Sequence, residues 1–308
     1  MINRDLFKFG EEVEAALGEG RAVVALESTV IAHGLPRPQN LETARRLEQI
    51  VRERGATPAT IAVIGGKLCV GLDDGQLEHL AASDAIKKIS RRDLPAAVAR
   101  KWDCATTVAT TLWVAHRARI GVFATGGIGG VHPDHTDVSA DLPELARTPL
   151  VVVCSGAKAI LDLRATREWL ETHGVTVVGY GCDRVPAFYT RETGLAVDVR
   201  VETPEEVAEL ARARAALGTE GALLVTVPVP EEFEVDGEVM RSALMDSLRD
   251  AQQSGITGSE TTPFLLKRLG GLSGGATLRA NIALLENNAR VAADVARAAL
   301  EKSRVTKG

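Results

Sequence analysis

A glutamate ends the first strongly apolar run of the sequence. The stretch 23–40 reads VVALESTVIAHGLPRPQN, in which Glu27 precedes two hydroxyl side chains, a histidine and a loop stiffened by Pro36 and Pro38. A carboxylate at the end of a strand can cap a helix or pair with an arginine. When it is partly buried, its pKa is raised and it can act as a proton donor. Both interpretations of Glu27 are open on this pattern alone.

A second apolar run ends in glycines and then in possible metal ligands. The stretch 123–142 reads FATGGIGGVHPDHTDVSADL. Its glycines let the backbone approach an anion closely, but they match neither a dinucleotide-binding motif nor a P-loop. The acids and imidazoles favour Mn²⁺ or Mg²⁺ over a closed zinc site. The candidate ligands are His132, Asp134, His135, Asp137 and Asp141.

A lysine follows a third apolar run. Lys158 lies in the stretch 151–162, VVVCSGAKAILD, and we expect it in the first turn of a helix over 157–172. The helix dipole disfavours a cation there, so a desolvated Lys158 should have a lowered pKa and some free amine at neutral pH. A neutral amine is the nucleophile that forms an imine with a sugar carbonyl. The alternative is a side chain that extends into solvent.

Four cations cluster in the stretch 86–95, IKKISRRDLP, at Lys87, Lys88, Arg91 and Arg92. On an isolated helix they would form a solvated face. If one or two of them face a cleft, they would bind a phosphate group. The spacing does not choose between these interpretations.

These polar stretches follow short apolar segments that alternate with helical patterns. The predicted strands are 22–28, 59–65, 120–127, 150–156, 175–181 and 222–229, and the predicted helices are 40–54, 73–82, 105–118, 157–172, 204–217 and 238–254. Continuously apolar strands are typical of a sheet that helices cover on both faces. We therefore expect a three-layer α/β/α sandwich with a mostly parallel or mixed central sheet, in one domain over 1–308. Ligands should collect at the carboxyl ends of its strands.

The bulk composition excludes several classes of protein. Of 308 residues 45% are hydrophobic and 25% charged, and the formal net charge is −5 without a Lys/Arg block, which argues against a nucleic-acid partner. No apolar stretch has the length of a membrane span, and the charged segment 1–20 lacks a signal-peptide core, so we expect no membrane partner and a cytoplasmic location. The widely spaced Cys69, Cys104, Cys154 and Cys182 are typical of reduced thiols. The segment 281–303 predicts a terminal amphipathic helix that packs on the body or on another subunit.

Segments in order along nearly the whole chain resemble the pseudouridine-5′-phosphate glycosidase family, also called pseudouridylate synthase, and the related indigoidine synthase A-like proteins. The matching segments are VVALESTVIAHGLPRPQN, PATIAVIGGKLCVGL, KISRRDLP, ATTVATT, VFATGGIGGVH, DVSADL, VVVCSGAKAILDL, PAFYTRETG, TPFLLKRL and LRANIALLENNA. A single short motif does not produce such coverage by chance.

The resemblance implies an activity and a set of site residues. The activity is reversible cleavage of the C–C glycosidic bond of pseudouridine 5′-phosphate to uracil and ribose 5-phosphate, by a C-glycosidase described as a hydrolase or a lyase, with a divalent metal, usually Mn²⁺. Glu27 is implied as the proton donor and Lys158 as the nucleophile. The implied binding residues are Lys88 and Val108 for the phosphate, Ser139, Ala140 and Asp141 for the sugar-phosphate, His132 and Asn281 for the uracil, and Asp137 for the metal.

The bond to be broken explains why such residues belong together. Pseudouridine joins C5 of uracil to C1′ of ribose, so there is no glycosidic nitrogen to protonate, and paired carboxylates suit this bond badly. An amine that forms an imine-type adduct at C1′ after ring opening can take part in breaking the C–C bond while the uracil carbon is protonated. This route needs a free amine, an acid and an anchored phosphate, roles that Lys158, Glu27 and Lys88 would fill. We expect the loop after Glu27 to hold the acid in place.

Two positions depart from the family pattern. The loop from His132 to Asp137 is a few residues shorter, so His132 and His135 are both candidates for the base contact. Ser259 stands where a lysine is expected, which weakens any charge-based role near that position.

Several functions remain open beside the one that the resemblance implies. Lys158 would also serve a Schiff-base lyase or aldolase on another sugar phosphate, and the same pocket would serve a different C-glycoside, as in the indigoidine branch. Release of uracil from pseudouridine 5′-phosphate separates these enzymes. A silent binding or scaffold protein is disfavoured because Glu27, Lys88, Asp137 and Lys158 occur together. The family also implies a homotrimer, and carboxylate ligands do not rank Mn²⁺ above Mg²⁺, Fe²⁺ or Co²⁺.

Overall fold

The computed structural model describes residues 4–133, 135–256 and 261–305, which form eleven strands and eleven α-helices. The strands are β1 (Phe7–Phe9), β2 (Val23–Leu26), β3 (Thr57–Ile64), β4 (Lys67–Val70), β5 (Lys87–Ile89), β6 (Cys104–Thr106), β7 (Val122–Ala124), β8 (Val151–Cys154), β9 (Thr176–Tyr180), β10 (Val199–Val201) and β11 (Leu223–Thr226). The helices are α1 (Glu11–Gly18), α2 (Gln39–Glu53), α3 (Asp74–Ala82), α4 (Leu94–Ala99), α5 (Val108–Arg117), α6 (Asp141–Leu145), α7 (Leu163–Thr172), α8 (Pro204–Leu217), α9 (Gly237–Gln253), α10 (Thr261–Leu272) and α11 (Ala276–Val305).

The strands form one mixed sheet in the order β1-β4-β3-β2-β7-β8-β11-β9-β10, and β6 pairs with β3 and with β5. All pairs are parallel except those of β3 with β4 and with β6. In the centre Ala25 stands opposite Ala59 on one side and Phe123 on the other, and all three are fully buried. Helices flank the sheet, so the predicted three-layer α/β/α architecture with a mostly parallel, mixed sheet is confirmed.

All six predicted strands are present as β2, β3, β7, β8, β9 and β11, whereas the other five strands were not predicted. Four of these five strands contain a charged residue, which weakens the apolar pattern that marked the predicted strands. β6 also shortens the helix predicted over 105–118. Because residues 104–106 pair with β3 and β5, α5 begins only at Val108, with Thr107 as its N-cap.

The predicted C-terminal helix is confirmed as the 30-residue α11. Its buried face includes Ala280, Leu284, Ala292 and Val295, and it packs against β7, β8, α2 and α8 of the same chain. The structure therefore shows this helix packed on the body of the chain, the first of the two predicted arrangements. None of the described helices is both long enough and apolar enough to cross a membrane. All four cysteines are free thiols.

A buried amide on α11 ties this helix to the ends of two central strands. Asn288 is fully buried, and its Nδ2 donates to the carbonyl oxygen of Thr125 at 2.9 Å and lies 3.1 Å from the Ser155 Oγ. Thr125 follows β7 and Ser155 follows β8. The amide therefore supplies a partner for polar groups that the sheet itself leaves unpaired.

Replacing this amide should destabilise the protein markedly. In Asn288→Ala the polar groups of Thr125 and Ser155 lose their partner in a buried place, so we expect a loss of about 2–3 kcal/mol in the free energy of unfolding. Urea unfolding measures it. The control is Asn287→Ala on the same helix, whose residue is only half-buried. Equal losses for the two variants would contradict this role of Asn288.

Candidate active site

The segment that carries the acid is fastened to the sheet by hydroxyl groups. Glu27 directly follows β2, and the next residue, Ser28, donates through Oγ to the carbonyl oxygen of Ile61 at 2.7 Å and accepts from the backbone N–H of Thr106 at 2.9 Å. The Thr29 hydroxyl donates to the Thr106 carbonyl at 2.8 Å. The two hydroxyls after Glu27 thus link the end of β2 to β3 and β6, and they fix the direction of the acid.

Glu27 is buried, with 8% of its surface exposed. Burial raises the pKa of Glu27 above its ordinary value, while the positive charge of Lys158 and the hydrogen bond donated by the Thr125 hydroxyl oppose that rise. The charge of Asp141 raises the pKa further, and that of Lys88 lowers it. A carboxyl group in this environment can retain a proton at a pH where an exposed glutamate has lost it.

The glycine loop after β7 is packed too tightly for side chains. A Cβ on Gly127 would lie 2.6 Å from the Phe188 ring, and one on Gly129 would lie 2.2 Å from the Ser139 Oγ and 2.8 Å from Asp141 Oδ2. These glycines therefore serve close packing around the cleft.

Asp141 joins the glycine loop to the first turn of α5. Its Oδ1 accepts from the backbone N–H of Ala109 and its Oδ2 from that of Gly129, both at 2.8 Å. The side chain is buried at the N-terminus of α6. Both oxygens accept hydrogen bonds from the backbone. Asp141 therefore holds the glycine loop next to the N-terminus of α5 in the wall of the cleft.

Lys158 lies in a loop and not in a helix, so the prediction of a helix over 157–172 is wrong at its start. The backbone N–H of Lys158 donates to the carbonyl oxygen of Ile128 at 3.1 Å, which holds the loop against the glycine loop. Helix α7 begins at Leu163, because the side chain of Asp162 caps the N–H of Ala165 at 2.9 Å. The argument from a helix dipole at Lys158 therefore fails. The side chain is half-buried and lines the cleft rather than extending into bulk solvent.

Only Lys88 of the four clustered cations lines the cleft within the described residues. Its strand, β5, aims it inward, whereas the Lys87 ammonium lies 4.8 Å from the centre of the Trp102 ring. Arg91 pairs with the buried Glu144 at 2.9 Å, and Arg92 is 88% exposed.

Lys88 keeps access to solvent at the opening of the cleft, although the surrounding protein desolvates it. This desolvation lowers the pKa of Lys88, and the charge of Lys158 lowers it further, while Asp141 and Glu27 oppose the shift. The three groups thus act on one another within a single cleft.

The cleft has two lobes that meet at Glu27, Thr29, Lys88 and Lys158. The remaining residues of the aromatic lobe are Val30, His33, Gly34, Gly126, Gly127, Phe188, Asn281 and Leu285. Those of the polar lobe are Ser90, Thr107, Val108, Gly129, His132, Ser139, Ala140, Asp141 and Leu161. The residues implied by the resemblance for catalysis stand at the junction. The two implied for uracil, His132 and Asn281, line different lobes.

The implied metal ligand, Asp137, lies outside the cleft wall with 54% of its side chain exposed, and its Oδ2 is 3.7 Å from His132 Nε2. In the described ranges, no three His, Cys, Asp or Glu side chains stand close enough to hold an ion, and Asp134 lies outside those ranges, as does Ser259. One carboxylate beside an imidazole fits a hard cation that keeps most of its water ligands. Asp137 therefore suits Mn²⁺ or Mg²⁺ and does not suit a closed protein cage.

His135 is turned away from the cleft. Its Nε2 lies 2.9 Å from Oδ2 of Asp162, the N-cap of α7, and the side chain is 61% exposed. Of the two histidines that the sequence left as candidates for the base, only His132 lines the cleft.

Two residues of the aromatic lobe were missed by sequence reasoning. His33 belongs to the quoted stretch after Glu27, but its helical turn, Val30–Gly34, has no recognisable pattern. Phe188 is buried with φ +64°, a conformation that bulky side chains rarely adopt, and its backbone N–H donates to the Ser155 carbonyl at 3.0 Å. No propensity predicts such a residue, because the tertiary contacts impose it.

Comparisons with known proteins agree on one family. The family described as indigoidine synthase A-like protein matches residues 12–298. A pseudouridine-5′-phosphate glycosidase from Caldanaerobacter subterraneus subsp. tengcongensis is 52% identical over 289 residues, which cover 93% of this chain and 94% of that protein. One from Geobacillus kaustophilus is 50% identical and covers 95% and 98%.

Comparison with solved structures indicates the same family. The prealnumycin C-glycosynthase AlnA in complex with ribulose 5-phosphate superposes with a TM-score of 0.90 at 41% identity, covering 97% of this chain and 98% of that one. An indigoidine synthase A-like protein from Thermotoga maritima gives 0.85 at 39% identity, covering 91% and 93%. The chain is therefore an α/β enzyme of the C-glycosidase class. It belongs to the indigoidine synthase A-like proteins and, within them, to the pseudouridine-5′-phosphate glycosidase family. The names of these relatives support glycosidase activity for the chain and do not support its description as a hydrolase.

The packing of the glycine loop predicts a selective loss of activity in Gly129→Ala. The new methyl group overlaps Ser139 and Asp141, so the wall of the polar lobe must shift, and we expect uracil release to fall by about 10²-fold. Gly121→Ala is the matched control, because a Cβ there meets no atom within 4 Å. Similar rates for both variants would contradict the close packing.

The raised pKa of Glu27 predicts how stability depends on pH. Between its ordinary value of 4.5 and its raised value, the folded protein binds more protons than the unfolded chain, so stability falls as pH rises through that window. Glu27→Gln removes the buried charge, so its Tm should exceed that of the wild type near pH 8. The gap should close near pH 4, where both forms are neutral. Differential scanning calorimetry checks this against Glu42→Gln, an exposed control on α2. A gap independent of pH would contradict it.

Proposed function

We propose that this chain cleaves pseudouridine 5′-phosphate reversibly to uracil and ribose 5-phosphate through a covalent adduct of Lys158. The observation that carries the proposal is the meeting of Glu27, Lys88 and Lys158 at the junction of the two lobes. A buried acid, an accessible amine and a second cation at one point are the groups that this C–C cleavage requires. The names of the relatives support the substrate.

The polar lobe suits the sugar-phosphate. Lys88 supplies a cation, and the first turn of α5 at Val108 contributes the positive end of its dipole, which favours a phosphate. Ser139, Ala140 and Asp141 line the same lobe, where the Ser139 hydroxyl is a donor for ribose oxygens. We assign the base to the aromatic lobe with Asn281, while His132 faces the sugar-phosphate side.

The reaction begins with transfer of a proton from Glu27 to the ribose ring oxygen, while the uncharged Lys158 amine bonds to C1′ and the C1′–O4′ bond breaks. The nitrogen then loses a proton to the Glu27 carboxylate. As the nitrogen lone pair forms the C=N bond to C1′, the C1′–C5 bond breaks, its electron pair moves to C5, and C5 takes a proton from Glu27 as uracil leaves. Water adds to the iminium, which releases ribose 5-phosphate and restores the amine.

A divalent cation held at Asp137 beside His132 would supply ordered water molecules that hydrogen-bond to the substrate. The protein residues carry the proton and the covalent bond in each step above. From the family alone we also propose that the chain acts in the cytoplasm as a homotrimer.

The C-glycosynthase named among the solved structures supports a second candidate, the use of another C-glycoside in the same cleft. The two candidates share the roles of Lys158 and Lys88. Uracil production from pseudouridine 5′-phosphate distinguishes them, since the second candidate predicts none.

The decisive experiment is a uracil-release assay with and without a chelator. We expect release by the wild type that needs a divalent metal, a fall of about 10²–10⁴-fold in Glu27→Gln, and none detectable in Lys158→Arg. Borohydride with ribose 5-phosphate should add the reduced sugar to Lys158, as mass spectrometry of peptides shows. Lys101→Arg, at an exposed position after α4, is the control. Wild-type rates in Lys158→Arg would end the proposal.

A further inference from the structure

A buried nitrogen in the aromatic lobe has no partner. His33 lies in the turn Val30–Gly34, six residues after the acid, and its ring lines the lobe together with Asn281 and Phe188. The Nε2 atom is buried and makes no hydrogen bond within the described residues. Buried polar atoms in folded proteins nearly always have a partner. The ring lines the cleft, so a ligand bound there can supply this partner.

The ring environment decides which kind of partner fits. Burial lowers the pKa of His33, and the positive charge of Lys88 lowers it further, which favours the neutral imidazole. The backbone of Ile86 interacts with the ring and opposes this shift. In the tautomer that carries its proton on Nδ1, the unpartnered Nε2 is an acceptor.

The surroundings of Nε2 match a planar heterocycle. The Phe188 ring, Val30 and Leu285 give the lobe apolar walls, and the Asn281 amide adds one donor and one acceptor. A pyrimidine linked through C5 carries hydrogens on both N1 and N3, whereas one linked through N1 keeps only the hydrogen on N3. An acceptor that meets N1–H is therefore able to tell the two linkages apart.

We propose that His33 Nε2 accepts a hydrogen bond from a ring N–H of the pyrimidine and so determines specificity for the base. The proposal rests on the proposed function and adds a residue to it. Loss of the acceptor weakens binding of the base more than it slows the chemistry, because His33 touches neither C1′ nor the attacking amine in this scheme. The effect should therefore appear mainly in KM.

The test compares pseudouridine 5′-phosphate with its N1-methyl and N3-methyl analogues. In the wild type, we expect one of the two methyl groups to lower kcat/KM by at least about 10-fold beyond the other, because it blocks the N–H that His33 reads. In His33→Ala, kcat/KM for the parent substrate should fall roughly 10- to 100-fold, mostly through KM, and the difference between the analogues should disappear. His33→Gln keeps an acceptor and should recover part of the loss.

His173→Ala is the matched control, since His173 is exposed at the end of α7 and stacks on Trp169. Circular dichroism of each variant verifies folding, and His33→Gln keeps the test valid if the alanine variant does not fold. A wild type that releases no uracil from the parent refutes the proposed function itself. An active wild type with equal responses to both analogues, or an unchanged difference in the His33 variants, overturns the role of His33.

Discussion

The ionisation of the buried carboxyl group of Glu27 is coupled to the charges of Lys158 and Lys88, which line the same cleft. Burial raises the pKa of Glu27, and the charges of Lys158 and Lys88 act against that rise. The same charge of Lys158 lowers the pKa of Lys88, which Glu27 in turn raises. Lys158 therefore acts electrostatically on both of the other groups, and Glu27 and Lys88 act on each other.

Such an arrangement is costly to bury, so rigid contacts must hold it together. The end of β2 is fastened by Ser28 and Thr29 to the neighbouring strands, and Asn288 fastens α11 over the ends of β7 and β8. Asp141 fixes the glycine loop to α5 through two backbone amides. These contacts come from elements far apart in sequence, and together they hold the walls of the cleft in place.

The sequence predicted what depends on local pattern and missed what depends on tertiary contacts. The six strands that lie within continuous apolar runs were predictable because burial on both faces of a sheet leaves such a run. Glu27 was predictable as a polar residue at the end of such a run. The loop around Lys158 was not, since its residues are compatible with a helix and only the contact with Ile128 and the cap at Asp162 prevent one. The inward direction of Lys88 likewise depends on the pairing of β5 with β6.

The geometry also supports the proposed pairing of the acid with a lysine rather than with a second carboxylate. Two carboxylates line the cleft within the described residues, Glu27 and Asp141. Both oxygens of Asp141 accept backbone N–H groups, so using it as a base or nucleophile would break the contact that shapes the polar lobe. A paired-carboxylate mechanism would thus dismantle its own binding site. Lys158 is free of that constraint, because its backbone holds the loop in place while its side chain faces the cleft. In the proposed mechanism, Asp141 thus maintains the shape of the cleft, whereas the side chains of Glu27 and Lys158 carry out the chemistry.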